Sequence, residues 1–132
     1  MTLAQRSTLE GYFAALERAD WGALGELCTE DVVYHVPGKD PRLSRKVIGR
    51  AAFVAMAEEM FQTFRAPQFA ISEVIPLPAG ALVRYRSSWE VSPVGRTVAD
   101  SAIAFVLRDG RIAQIGIRID LVRIGALASG AA

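Results

Sequence analysis

Only one cysteine, Cys28, and one histidine, His35, occur in the 132 residues. A lone thiol can form no internal disulfide, so a reducing, cytoplasmic setting is expected. One histidine and one cysteine are too few for a typical zinc site, and no metal is expected. Neither sign of charge dominates. Fifteen basic and fourteen acidic residues leave a formal charge of +1, and they are scattered, which argues against a nucleic-acid partner. No apolar run reaches the roughly 18 residues of a membrane span, and the first residues lack the pattern of a secretion signal. There is no glycine-rich phosphate loop and no Gly-x-Ser-x-Gly elbow, so neither a nucleotide cofactor nor an elbow serine is expected.

Apolar residues are abundant, at 52% of the chain. That is enough to exclude disorder, and more than one small core needs, which suggests a lined cavity, a dimer face or both. The length fits one domain, placed at 1–125, with a tail of small residues at 126–132. Leu3, Leu9, Tyr12, Phe13, Leu16 and Ala19 recur at helical spacing and predict a helix over 2–19. Asp20 can cap a short helix from Trp21 to Cys28. Asp31 to Val36 reads as a strand closed by Pro37-Gly38, and 38–49 as a polar loop. A helix follows from Arg50 to Phe64, with Phe53, Met56, Met60 and Phe61 on one side, and Pro67 stops it. Beyond it the period becomes extended: strands over 69–75, 81–91, 97–107 and 111–122, the last two joined by the Asp109-Gly110 hairpin. Helices followed by a meander of strands predict an α+β fold, a curved, mostly antiparallel sheet wrapped around three N-terminal helices as a cone-shaped roll.

Pairing Arg108 with Arg111 sets Phe105 opposite Gln114, Ser101 opposite Arg118 and Ala99 opposite Asp120, all on one face. Pairing Val91 with Arg96 adds Ser88, Arg86 and Arg84 to that face and sends Tyr85, Ser87 and Trp89 to the other. A slip of one residue would exchange the faces. Both faces are rich in apolar residues, so one should meet the helices and the cavity and the other a second copy of the chain. Asp100 falls on that outer face. On this reading Asp120 is a carboxylate near the end of an apolar strand, kept ionised by Arg86, Arg84 or Arg118 and able to act as a general base. Its alternative is a structural ion pair at the sheet rim. Of Tyr34 and His35, adjacent on a strand, one should enter the cavity, the tyrosine as a hydrogen-bond donor or the histidine as a proton carrier. Tyr12, Trp21 and Cys28 read as core.

The segments LEGYFAALERADWGALGELCTEDVVYHVPG, IGRAAFVAMAEEMF and SPVGRTVADSAIAFVLRDGRIAQIGIRIDL resemble the nuclear-transport-factor-2-like superfamily over nearly the whole chain. Within it the pattern is most similar to SnoaL-type polyketide cyclases, limonene-epoxide hydrolases and ketosteroid isomerases. The resemblance implies a catalytic acid/base at Asp120 and a water- or oxygen-positioning tyrosine at Tyr34. It aligns Tyr12 with an oxyanion tyrosine, and Arg84 or Arg86 with an orienting arginine. Val36 stands where limonene-epoxide hydrolases place an asparagine and ketosteroid isomerases their base. Ser87 or Ser88 stands where the former place their second acid.

The expectation is therefore a cofactor-independent cyclase or isomerase for a small apolar substrate bearing carbonyl or hydroxyl groups. Asp120, Tyr34, Arg86, Arg84 and His35 are its candidate residues, and a homodimer would form through the outer sheet face. The alternatives are a non-catalytic binding module and an epoxide hydrolase with an altered site.

Overall fold

The computed structural model describes residues 1–36 and 45–119. Asp120, the Pro37-Gly38 turn, the 121–122 end of the last expected strand and the 126–132 tail lie outside the described residues.

Helix α1, Leu3–Arg18, starts at a capping box: the Thr2 hydroxyl accepts from the Gln5 N–H, and the Gln5 side chain accepts from the Thr2 N–H. It buries Leu9, Tyr12, Phe13 and Leu16, one stripe of helical period. Ala19 turns left-handed, and the Asp20 carboxylate caps α2, Trp21–Glu26, by accepting from the Ala23 N–H at 3.1 Å.

Strand β1, Cys28–Val36, begins earlier than the β-branched run suggests, and β2, Arg45–Ile48, is a strand where a polar loop was expected. β2 pairs antiparallel with β1, Tyr34 facing Val47. Four residues, two of them basic, show no readable period, yet they suit a short edge strand. Gly49, at a φ of 100°, leads into α3, Arg50–Thr63, which buries Phe53, Met56 and Ala57.

Four strands complete the sheet: β3, Arg65–Leu77; β4, Gly80–Val91; β5, Gly95–Arg108; and β6, Arg111–Ile119. The order is β2-β1-β6-β5-β4-β3, antiparallel throughout except for the β1–β6 pair. The fold is the expected α+β arrangement of three helices and a curved, unclosed sheet. Gly80 is needed where β4 crosses β5: a Cβ there would lie 1.8 Å from the Phe105 carbonyl oxygen.

Two registers correct the sequence expectation. Asp109 and Gly110 both take positive φ and Arg108 does face Arg111. A bulge then intervenes, because Leu107 faces Ile112 while Val106 faces Gln114, which leaves Ala113 as the extra residue. Phe105 therefore faces Ile115, and Ser101 faces Ile119. At the other hairpin Val91 faces Gly95, not Arg96, so Arg86 faces Asp100 and Tyr85 faces Ser101. Each is a shift of one residue, and each exchanges faces.

Candidate functional site

The concave side of the sheet and helices α1 and α3 enclose a cavity of about 130 Å³. From α1 come Tyr12, Phe13 and Leu16. From α3 and its C-cap come Phe53, Met56, Ala57, Met60, Phe61 and Phe64. The sheet adds Tyr34 from β1, Phe69 from β3, Tyr85, Ser87 and Trp89 from β4, Ser101 and Ile103 from β5, and Ile117 from β6.

The local sequence explains why these side chains converge. In β1 the even residues Val32 and Tyr34 are buried and Asp31 and His35 exposed. In β4 the odd residues Ala81, Val83, Tyr85 and Ser87 are buried, while Arg84 and Arg86 are exposed. On α3, Phe53, Met56, Ala57 and Met60 share one face at helical spacing.

Ring contacts fix the walls. Tyr34 leans on Phe53 with centroids 5.4 Å apart. Phe13 sits 5.0 Å from Tyr85 and 5.4 Å from Phe69. Tyr12 meets Phe13 and Phe105 edge-on, each at 5.2 Å. Among the described lining residues none is charged, and the polar groups are the Tyr12, Tyr34 and Tyr85 phenols, the Ser87 and Ser101 hydroxyls and the Trp89 indole.

Burial raises all three phenols above the ordinary tyrosine range. It lifts Tyr12 well above the ordinary tyrosine range, and the neighbouring Tyr34 and Tyr85 hydroxyls and the Cys28 thiol add to the effect. Burial pushes Tyr34 up to about 12, against a smaller opposing pull from the Arg45 charge. Tyr85 is raised by burial too, with a Ser101 hydrogen bond opposing and Tyr34 reinforcing. A phenol that stays protonated remains a hydrogen-bond donor, and all three line the same cavity. Cys28 is buried, and its thiol is pushed up to about 11 by burial, with the Arg50 charge opposing, which makes it a poor nucleophile.

Of the residues singled out in the sequence, Tyr34 lines the cavity. His35 does not; it is exposed on the convex face, its strand position beside Gly116 and Lys46. Arg86 also points outward, its Nε 2.9 Å from Asp100 Oδ1, and Arg84 Nη1 lies 3.7 Å from Glu73 Oε1. The one-residue shifts described above account for both arginines. Asp120 lies outside the described residues, and the register that set it opposite Ala99 is replaced by one in which Ser101 faces Ile119. Sequence reasoning missed Tyr85, Ser87 and Ser101, and treated Tyr12 as core. The signal for Tyr85 was present: Arg84 and Arg86 alternate with Val83 and Tyr85, and two arginines on one face of a half-buried strand face water. Among the described residues no group of three His, Cys, Asp or Glu side chains could hold a metal ion, and no helix is long and apolar enough to cross a membrane.

An aromatic cavity between two helices and a curved sheet, with β1 inserted parallel to β6, invites comparison with known proteins. The model of the SnoaL-like domain family matches residues 9–115. The chain belongs to that family. No curated protein sequence matches it. Among solved structures, an LEH-like epoxide hydrolase from M. tuberculosis superposes with a TM-score of 0.80 at 18% identity, over 97% of this chain and 90% of that one. Wild-type IdmH from Streptomyces antibioticus, a candidate polyketide cyclase, gives 0.79 at 20% identity, over 96% and 98%. A protein of ketosteroid isomerase-like fold from Catenulispora acidiphila, in complex with trimethylamine, gives 0.80 at 13% identity, over 92% of each chain. At such identities the likeness establishes the shared SnoaL-like architecture and leaves the chemistry to the site itself.

Proposed function

We propose that this SnoaL-like protein is a cofactor-independent cyclase or isomerase of a small apolar carbonyl compound. Tyr34, with Tyr12 and Tyr85, would hold the substrate oxygen, and Asp120 would act as general acid/base. The observation that carries this reading is the cluster of three neutral phenols in an otherwise apolar cavity. A carbonyl oxygen gains negative charge when a proton leaves its α-carbon, and donors already in place in a dry site stabilise that charge. Asp120 would take the α-proton and the electron pair would move onto the oxygen. The enolate would then be reprotonated at another carbon, giving an isomer, or attack a second carbonyl carbon, closing a ring. In either case the proton on Asp120 returns to the product. Asp120 follows β6 directly in the sequence. The same reading includes a homodimer through the convex sheet face, where Leu82, Ala102, Val106 and Gly116 are half-exposed.

A second reading, a binding module without catalysis, is favoured by a different observation. No described lining residue is charged, and the inward positions of β6 belong to Ile115 and Ile117. The two separate in D2O. If Asp120 is the base, the wild-type protein should speed deuterium uptake by cyclohex-2-enone above the buffer rate, read by NMR. Asp120→Asn should then lower it by roughly 100-fold or more, and Tyr34→Phe by about tenfold. Equal exchange in Asp120→Asn and wild type refutes the assignment of the base. No exchange above buffer in wild type leaves the binding module.

A further inference from the structure

We propose that the ligand of this cavity is a neutral single-ring ketone or enone, and that Phe64 and Met60 set its upper size limit. The inference rests on the reading that the aromatic cavity is the ligand site, but not on any catalytic step. Its volume of about 130 Å³ lies below the roughly 300–1,000 Å³ of common ligand pockets. It is close to the engineered cavity of about 150 Å³ in another protein that takes up benzene. One six-membered ring fills such a space, and two fused rings exceed it.

The limit is built into the walls. The part-exposed rings around the cavity are each held by a ring on a different element. Phe61 stacks on Trp21 of α2, with centroids 6.1 Å apart and planes at 13°. Phe64 meets Trp89 of β4 edge-on at 5.7 Å. Phe69 is wedged against Phe13 and Tyr85. Met60 and Phe64 belong to the same helical turn, closed by the bond from the Phe64 N–H to the Met60 carbonyl at 3.0 Å. A rim pinned from three sides resists widening for a larger guest, because displacing any one ring breaks packing on a second element. Polarity completes the description. The absence of charged groups among the described lining residues disfavours an ion, whereas the phenol cluster rewards one oxygen acceptor on an otherwise apolar ring.

The test uses the protein's own methionines. There are three, and two of them, Met56 and Met60, line the cavity, while Met1 is exposed. With 13C-labelled methionine methyls, cyclohex-2-enone should shift Met56 and Met60 saturably and leave Met1 unmoved. Cyclohexene, without the oxygen, should bind at least fivefold more weakly, and 1-tetralone, with a second fused ring, at least tenfold more weakly. Phe64→Ala should bring 1-tetralone to within threefold of the enone. Met60→Ala, on the same rim, provides the same reading should Phe64→Ala fail to fold. Four results overturn the proposal: 1-tetralone or a four-ring steroid enone binding wild type as tightly as cyclohexenone, cyclohexene matching the enone, rim variants leaving the size ratio unchanged, or no Met56 and Met60 shift with any probe. Saturable enone shifts without deuterium exchange would support this size and polarity class while removing the acid/base reading, so the two failures are distinguishable.

Discussion

Tyr85 and Arg86 are neighbours in β4, yet Tyr85 is buried in register with Ser101, and Arg86 is exposed and paired with Asp100. The whole sheet repeats that contrast. Its concave face carries Val83, Ile103, Phe105, Ile115 and Ile117, all buried, and ends in a cavity. Its convex face carries the Arg84–Glu73 and Arg86–Asp100 ion pairs and the exposed Ala104 and Gln114. Charge has been sorted to one side and donors without charge to the other. A guanidinium turned into the cavity would stabilise phenolates and bind anions. With it outside, burial alone dominates the phenols, and the cavity stays suited to neutral guests.

The sharpest way to break the contrast is to put the same charge on each face in turn. Ile103 is 1% exposed, between Val83 and Ile117 in the sheet. Ile103→Asp should cost roughly 4–5 kcal/mol or more, since it both removes packing and buries an unpaired carboxylate. That is comparable to the whole stability of many domains, so thermal unfolding should show the variant largely unfolded at 37 °C. A well-folded Ile103→Asp protein would mean that the register is displaced by one.

That register marks the boundary of what could be read from the chain. The helices were legible because stripes such as Leu9, Tyr12, Phe13 and Leu16 have a clear period, and Asp20 and Pro67 punctuate them. The Asp109-Gly110 hairpin was legible because few dipeptides tolerate two positive φ values in succession. The bulge at Ala113 was not, since an inserted residue leaves no mark where Ile112, Ala113, Ile115 and Ile117 are apolar on both faces. Four-residue β2 was too short to show alternation. At the site, Tyr34 was legible from a short strand with one buried side. Tyr85 and Ser101 went unseen because the two hairpin estimates placed them on different faces, and Arg84 and Arg86 were assigned inward for the same reason.

Alkaline pH probes the concave face by an amount that grows with each pH unit. An unfolded tyrosine ionises near pH 10, whereas folded Tyr34 holds its proton up to about 12, and Tyr12 and Tyr85 are shifted the same way. Between those values the folded state binds more protons than the unfolded state, so stability falls as pH rises. It is fully present below pH 10 and lost through about 12. Each retained phenol contributes a slope of about 1.4 kcal/mol per pH unit in that window. The Cys28 thiol, raised to about 11, adds to the loss from a lower starting pH. Urea unfolding at pH 9, 10 and 11 reads the slope, and Tyr34→Phe should lessen it. A flat profile would mean that the phenols are solvated.

The smallest effects belong to the convex face. Arg86→Met removes an exposed ion pair and should leave the unfolding midpoint almost unchanged, with any difference smaller still in high salt. Ala104→Asp places the carboxylate one residue from Ile103 but on the exposed side, opposite Leu82 and Gly116. In a monomer it should alter stability by no more than about 0.5 kcal/mol. If two copies meet through this face, the same substitution sets like charges against each other across the two-fold axis. Sedimentation velocity of wild type and Ala104→Asp separates the cases. A wild-type dimer split by this variant, with the unfolding midpoint at low concentration unchanged, assigns the convex face to self-association. A wild-type monomer, or a dimer indifferent to Ala104→Asp, removes that face from any role in assembly and leaves its ion pairs as surface chemistry alone.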